Sequence, residues 1–298
     1  MGQAVKNLIV NADDLGWTDG VNRGIVEAFN HGIVTSASLL ANGPAFAEGA
    51  EATRSAPGLG IGVHLNLSDG PPVADRKTVT SLLNGDGEFA GGPKSLLLRR
   101  ARRGIALAEV ETEWDAQIRK IRDAGIAPTH LDGHKHVHML PGFFEIALRL
   151  AKRHGIAAIR VSLEASSLRA ALASGTKRNA VVIIKQGVQA RGLKLLARHA
   201  REQVQRAGIS TADYFCGVAQ TGKLTREGVE QFLKSLPAGT TELMCHPGYA
   251  DATLQKSPTR LQNSRQTELK ILTGTGIRNL VASLGIRLID YGFVSQEA

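Results

Sequence analysis

Short apolar runs that read as β-strands return along this chain with helical patterns between them, and that alternation limits the fold more than any other feature. The runs fall at 7–11, 36–41, 60–67, 130–134, 157–161, 214–218, 241–245 and 286–289. Between them Val21, Ile25, Ala28 and Phe29 recur at helical spacing. So do Leu107, Val110, Trp114, Ile118 and Ile121, and later Val229, Phe232, Leu233 and Leu236. Parallel strands need a long crossover connection, which a helix supplies, so sustained alternation implies an α/β fold with a parallel sheet. With 298 residues, length alone fits one large barrel or two smaller domains. No low-complexity linker or internal repeat divides the chain, and the expectation is one TIM-barrel-like domain over 1–298. A Gly/Pro-rich stretch at 68–93 directly follows a strand and reads as a long loop over an active-site face.

Bulk properties narrow the setting. Near the N-terminus only three large apolar residues stand in a row, too few for a signal peptide, and no run approaches the roughly 18 residues of a membrane span. A cytoplasmic location is expected. Cys216 and Cys245 have neither metal-type nor redox spacing and read as buried thiols. The net charge of +9 is concentrated. Five basic residues (Lys94, Arg99, Arg100, Arg102, Arg103) and no acid lie between 89 and 108, and eight more lie between 165 and 201. The rest of the chain is net acidic, so the pattern is two positive patches on an otherwise ordinary protein.

In a barrel of parallel strands, catalytic groups gather where the strands end and their loops converge. The polar exceptions to the apolar runs fall at such ends. Asp13 and Asp14 close the first run, His64 interrupts the third and His246 follows the seventh. The stretch Thr129-His-Leu-Asp-Gly-His-Lys-His-Val-His138 holds four of the nine histidines. A strand-end bend can aim both adjacent carboxylates at one site, where one binds a metal and the other takes a proton. The plainer reading of the pair is a turn or cap ahead of Thr18 and Asp19, and a lone His64 would more often be a core histidine. The histidine cluster tips the balance, since Asp and His together form the usual ligand set of zinc and related divalent ions. Gly133 and Pro141 place His134 at a strand end, with His136 and His138 as its neighbours or as substrate contacts. For Asp132 and His130, ordinary loop hydrogen bonding is an equally good account.

Five segments, taken in order, resemble the successive motifs of the YdjC-type (ChbG/HpnK) carbohydrate deacetylases. They are Val10-Asn-Ala-Asp-Asp-Leu-Gly16, Gly32-Ile-Val-Thr-Ser-Ala-Ser38, Gly62-Val-His-Leu65, the histidine cluster at 129–138 and Met244-Cys-His-Pro247. The resemblance implies a distorted (β/α) barrel and a divalent metal, zinc or magnesium, held by Asp14, His64 and His134. It implies a general base at Asp13 and a late histidine, His246, that stabilises or protonates the reacting groups. Lys135 stands where the chitooligosaccharide members carry another histidine, which leaves the ligand set intact and the substrate open. The segment Ala158-Ile-Arg-Val161 looks more like the hopanoid-associated branch, for which a glycolipid bearing an acetylated amino sugar is implied.

The chemistry so implied is hydrolysis of an N-acetyl amide on a sugar, with Arg160, His136 and His138 as substrate contacts. A structural ion pair is an equally good role for Arg160. Another metal hydrolase, such as a phosphoesterase, would share the ligands and the barrel. An anionic-surface or nucleic-acid binding protein is disfavoured by three tyrosines, two tryptophans and no recognised motif, so no nucleic-acid partner is expected. In the variable basic region at 163–212, a helix over 188–206 would line Arg191, Lys194, Arg198 and Arg201 along one face. That pattern suggests peripheral association with the inner face of a membrane, although a solvated barrel helix is the simpler explanation. Homodimerisation is compatible with the sequence.

Overall fold

A computed structural model describes residues 5–174 and 199–294. Eight strands build one sheet: β1 (Lys6–Leu15), β2 (Ser36–Leu39), β3 (Gly60–Leu65), β4 (His130–Gly133), β5 (Ala158–Ile159), β6 (Tyr214–Cys216), β7 (Gly239–Cys245) and β8 (Ile286–Leu288). Each lies within or across one of the eight expected runs. Neighbours follow the order β5-β4-β3-β2-β1-β7-β6, and all pairings are parallel. The two ends of this path meet through isolated bridges, Ala158 to Ser210 and Glu164 to Phe215, which curl the sheet into a distorted barrel. β8 stands outside the path. It pairs with Lys6–Leu8 of β1, and β2 takes over the same edge from Asn11 onward.

The period of the strands explains why this barrel has two kinds of interior. Successive strand side chains point to opposite faces. Leu8, Val10 and Ala12 of β1 join the large apolar core shared with the surrounding helices. Ile9 faces inward and joins a small separate cluster with Ala158, Ile289 and Tyr291. Beyond Ile9 the inward positions turn polar: Asn11 and Asp13 on β1, Ser36 and Ser38 on β2, His64 on β3, His130 and Asp132 on β4, and Glu242 on β7 are all buried. Gly62 makes room for one of them, because a Cβ there would sit 2.3 Å from the His130 ring.

Helices cover the outside as their spacing predicts. Helix Asp19–Asn30 buries Val21, Ile25 and Ala28, and Thr18 caps it by accepting from the Val21 amide. Asp13 and Asp14 therefore do not serve as the cap. Helix Leu107–Asp123 buries Val110, Trp114, Ile118 and Ile121. The stretch at 68–93 is more tightly packed than a loose loop. It holds two short 3-10 turns, and Val79, Leu82 and Phe89 enter the core. Both cysteines are buried free thiols. Of the basic helix expected over 188–206, the part at 188–198 lies outside the described residues. Among the described residues, no helix is long and apolar enough to cross a membrane.

Candidate functional site

A bulge at the end of β1 creates the site. The register against β2 slips between Ala12 and Leu15, so one extra residue interrupts the alternation. Asp14 takes up the slip with a left-handed backbone, φ 72°. Asp13 and Asp14 consequently both line one cavity of about 360 Å³, together with His64, His134, His136 and His246. His134 follows directly on β4, in a turn where Lys135 and His136 also take positive φ. Three consecutive residues thus present different side chains to the same space.

Asp14, His64 and His134 offer ligand atoms that lie within 4.8 Å of one another. The Asp14 Oδ1 atom is 2.9 Å from His134 Nδ1 and 3.5 Å from His64 Nε2. This oxygen is buried and has no hydrogen-bond partner among the described residues. A buried carboxylate oxygen faced by two imidazole nitrogens without aligned hydrogen bonds suits a shared cation. The other Asp14 oxygen accepts from Arg265 Nη2. His64 is oriented from behind, its Nδ1 lying 2.7 Å from Asp132 Oδ1. That bond leaves Nε2 directed at the pair of aspartates, an arrangement that fixes tautomer and ring together. Asp13, His64 and Asp132 form a second grouping with ligand spacing that shares His64 with the first.

Charges in the cluster set one another. Burial would raise the Asp14 carboxyl, yet Arg265 and His134 hold it well below the usual range. Burial would lower His64, but Asp132, Asp14 and Asp13 around it hold it up at about 10. His134 is likewise raised, by Asp14 and Asp69 against its burial. Burial also works against Asp13, and Arg160 overrides it and keeps the carboxylate ionised.

Arg160 is fully buried, and its guanidinium meets three carboxylates. It grips Asp13 with two bonds of 2.8 Å, reaches Asp132 at 2.7 Å and bonds Glu242 Oε1 at 2.7 Å. The expectation that Arg160 contacts substrate is therefore corrected: it lies behind Asp13, with no open face to the cavity. His138 needs the same correction. It is fully buried, with Nε2 3.0 Å from the Arg160 carbonyl. Of the three expected substrate contacts, only His136 lines the cavity. Asp132, for which loop hydrogen bonding had been an equal reading, joins Arg160 to His64 and accepts from Ser38 Oγ at 2.8 Å. His130 stacks on Tyr291, ring centroids 4.0 Å apart.

His246 lies across the cavity with a buried Nδ1 that has no hydrogen-bond partner among the described residues. Burial pulls its pKa down to about 4, so the ring is neutral at pH 7. Its backbone amide donates to Glu268 Oε2 at 2.6 Å. Asp69, Arg265, Glu268 and Trp17 are among the residues at the site that the sequence reading does not single out. Arg265 and Glu268 sit on the buried side of helix Asn263–Leu272, beside Leu269 and Leu272. Two charges on an apolar stripe are a legible signal. Trp17, stacked on His134 at 5.6 Å, carried none.

The family model described as YdjC-like protein matches residues 7–283. A carbohydrate deacetylase of Geobacillus stearothermophilus is 33% identical over 284 residues, which are 95% of this chain and 96% of the relative. A chitooligosaccharide deacetylase of Enterobacter sp. (strain 638) is 32% identical, covering 95% of this chain and 97% of its own. A crystal structure from Enterococcus faecalis V583 superposes with a TM-score of 0.77 at 29% identity, covering 96% of this chain and 98% of the other. Matched along nearly its whole length in sequence and in fold, the chain belongs to the YdjC-like family.

Proposed function

We infer that the protein is a metal-dependent hydrolase that removes the N-acetyl group from an acetylated amino sugar. The observation that carries this is the buried, partnerless Asp14 Oδ1 between the nitrogens of His64 and His134. The deacetylase names of the relatives give the substrate class. Asp14, His64 and His134 would hold the metal; zinc suits this oxygen and nitrogen set best, with magnesium the alternative. A divalent ion bound there supplies Lewis acidity toward the acetyl carbonyl and the attacking water.

The chain's own groups divide the remaining work. Asp13, ionised and held by Arg160, accepts a proton from water as the oxygen bonds to the carbonyl carbon. As the C–N bond breaks, the same carboxyl returns that proton to the amine, so acetate and the free amino sugar leave. His246, neutral and unpartnered, donates a hydrogen bond to the oxygen on which negative charge develops. Lys135 and His136 border the space the sugar would fill. A lipid-linked substrate, as in the hopanoid-associated branch, and membrane docking belong to the same proposal. The basic helix that suggested docking falls mostly outside the described residues.

Acetate release across a panel of N-acetylated sugars and glycolipids, with elemental analysis of the purified protein, tests the reading. Asp14→Ala, His64→Ala and His134→Ala are each expected to abolish acetate release and to lower bound metal. Metal retained in His134→Ala but lost in His138→Ala would overturn the ligand assignment. Phosphate release from phosphoesters in place of acetate would move the protein to the phosphoesterase reading.

A further inference from the structure

Behind the cavity, a column of buried polar side chains runs down through the barrel to its opposite end. Arg160 holds Asp13 through two bonds, and its Nε donates to Glu242 Oε1 at 2.7 Å. The second oxygen of Glu242 accepts from the Tyr291 hydroxyl. Arg160, Glu242 and Tyr291 are at most 1% exposed, so bulk solvent does not reach these bonds. Tyr291 belongs to the segment that begins with β8 and closes the far end of the barrel. Its amide donates to Ser36 Oγ at 3.2 Å and its ring stacks on His130. This residue lies beyond the stretch 7–283 that matches the family model.

An isolated guanidinium between Asp13 and Asp132 could swing toward either one. Glu242 removes that freedom. It anchors Nε and Nη2 from the side away from the cavity, at 2.7 Å each. The planar fork can then satisfy Glu242 and Asp13 together in only a narrow range of orientations. Glu242 in turn has a free carboxylate rotation unless its second oxygen is fixed, and Tyr291 fixes it. The order of control runs from the chain's C-terminal segment to the group that takes the proton.

We propose that Glu242 and Tyr291 are positioning residues for the reaction: they set the orientation of Arg160 and, through it, the place of the Asp13 carboxylate. Neither touches the cavity, so neither contributes to substrate binding. This rests on the deacetylase reading, in which Asp13 acts as the base.

Tyr291→Phe removes the hydroxyl and keeps the ring on His130. The expected result is a fall in kcat for acetate release of about tenfold, with KM unchanged, because small displacements of a reacting group lower turnover rather than binding. Metal stoichiometry per chain should equal that of the wild type. This readout counts competent molecules, so it separates lost positioning from partial misfolding, which would lower both. Glu242→Gln keeps an acceptor for Arg160 and removes the charge, and should lower kcat further with the same KM. Equal kcat in the wild type and Tyr291→Phe would overturn the proposal while leaving the deacetylase reading intact. A rise in KM with unchanged kcat would overturn it too. No acetate from the wild type on any acetylated sugar would remove the deacetylase reading and this proposal together.

Discussion

Arg160 inside the barrel and Arg149 and Arg153 on its outer shell make the same kind of contact in opposite surroundings. Arg160 is sealed among Asp13, Asp132 and Glu242. Arg149 and Arg153 join helix Phe143–Arg153 to Glu111 on helix Leu107–Asp123 at 2.7 and 2.5 Å, with about half of each arginine side chain exposed. Short distances in both places hide a difference in consequence. Outside, water and salt already solvate each partner, so the pair gains little from meeting. Inside, no partner can be removed without stranding the others. The inner cluster is thus a poor way to add stability and a good way to hold geometry, which is what the role proposed for Asp13 requires.

The largest expected effect tests the inner side of that contrast. Arg160→Ala leaves buried carboxylates uncompensated and should cost about 3–5 kcal/mol in urea unfolding. A cost below about 1 kcal/mol would mean that the interior hydrates or protonates freely, and the contrast would collapse. Asp13→Asn comes next. Acetate release should fall by about 10²-fold or more, the scale of general-base loss, while metal binding persists. Loss of metal in that variant would exchange the roles of Asp13 and Asp14.

Glu113 offers an intermediate case that sharpens the comparison. It is buried, accepts from the amides of Val73 and Ala74 and from Gln117, yet has no arginine paired with it among the described residues. Glu113→Ala should cost about 1–3 kcal/mol by stranding those donors. Burial raises the Glu113 pKa. A raised folded-state pKa favours folding at low pH and loses that contribution as pH climbs through it. The wild type should therefore lose stability relative to Glu113→Gln as pH rises from about 4 upward. A stability difference independent of pH would remove the burial account. The smallest effect belongs outside: Glu111→Ala should cost less than about 1 kcal/mol, and less again at high salt. A loss matching that of Arg160→Ala would erase the distinction.

Much of this architecture was legible because it repeats. The eight apolar runs found their strands, since central ones such as β2, β3 and β4 are buried on both faces of a covered sheet. The sequence could not show that β8 shares an edge of β1 with β2, or that only bridges close the ring, because pairing order leaves no local mark. Residue type drew attention to the aspartates and histidines at the strand ends, and the family resemblance implied Asp14, His64 and His134 among them. Arg160 and His138 could each be read as a substrate contact or as a structural partner because depth cannot be read from a strand end: one step of the alternation separates a cavity wall from a sealed interior. Glu242 was visible as a lone carboxylate inside the run 241–245. A charge buried in a central strand asks for a partner, and Arg160 was the residue to ask about.

The left-handed backbone of Asp14 has a bearing on how the site can change. Few residues rest at φ 72° without penalty; glycine does, and asparagine and aspartate do so more readily than the rest. Glycine has no donor atom and asparagine no charge. Cysteine or glutamate at this position would have to overcome backbone strain before offering a donor to any ion, and histidine, which tolerates this backbone as His136 does at φ 57°, would bring no negative charge. For the proposed metal site, a torsion angle in the chain thus favours a carboxylate at this position ahead of any choice of metal. Attempts to retune its preference should begin at His64 or His134, where the backbone leaves other donors open.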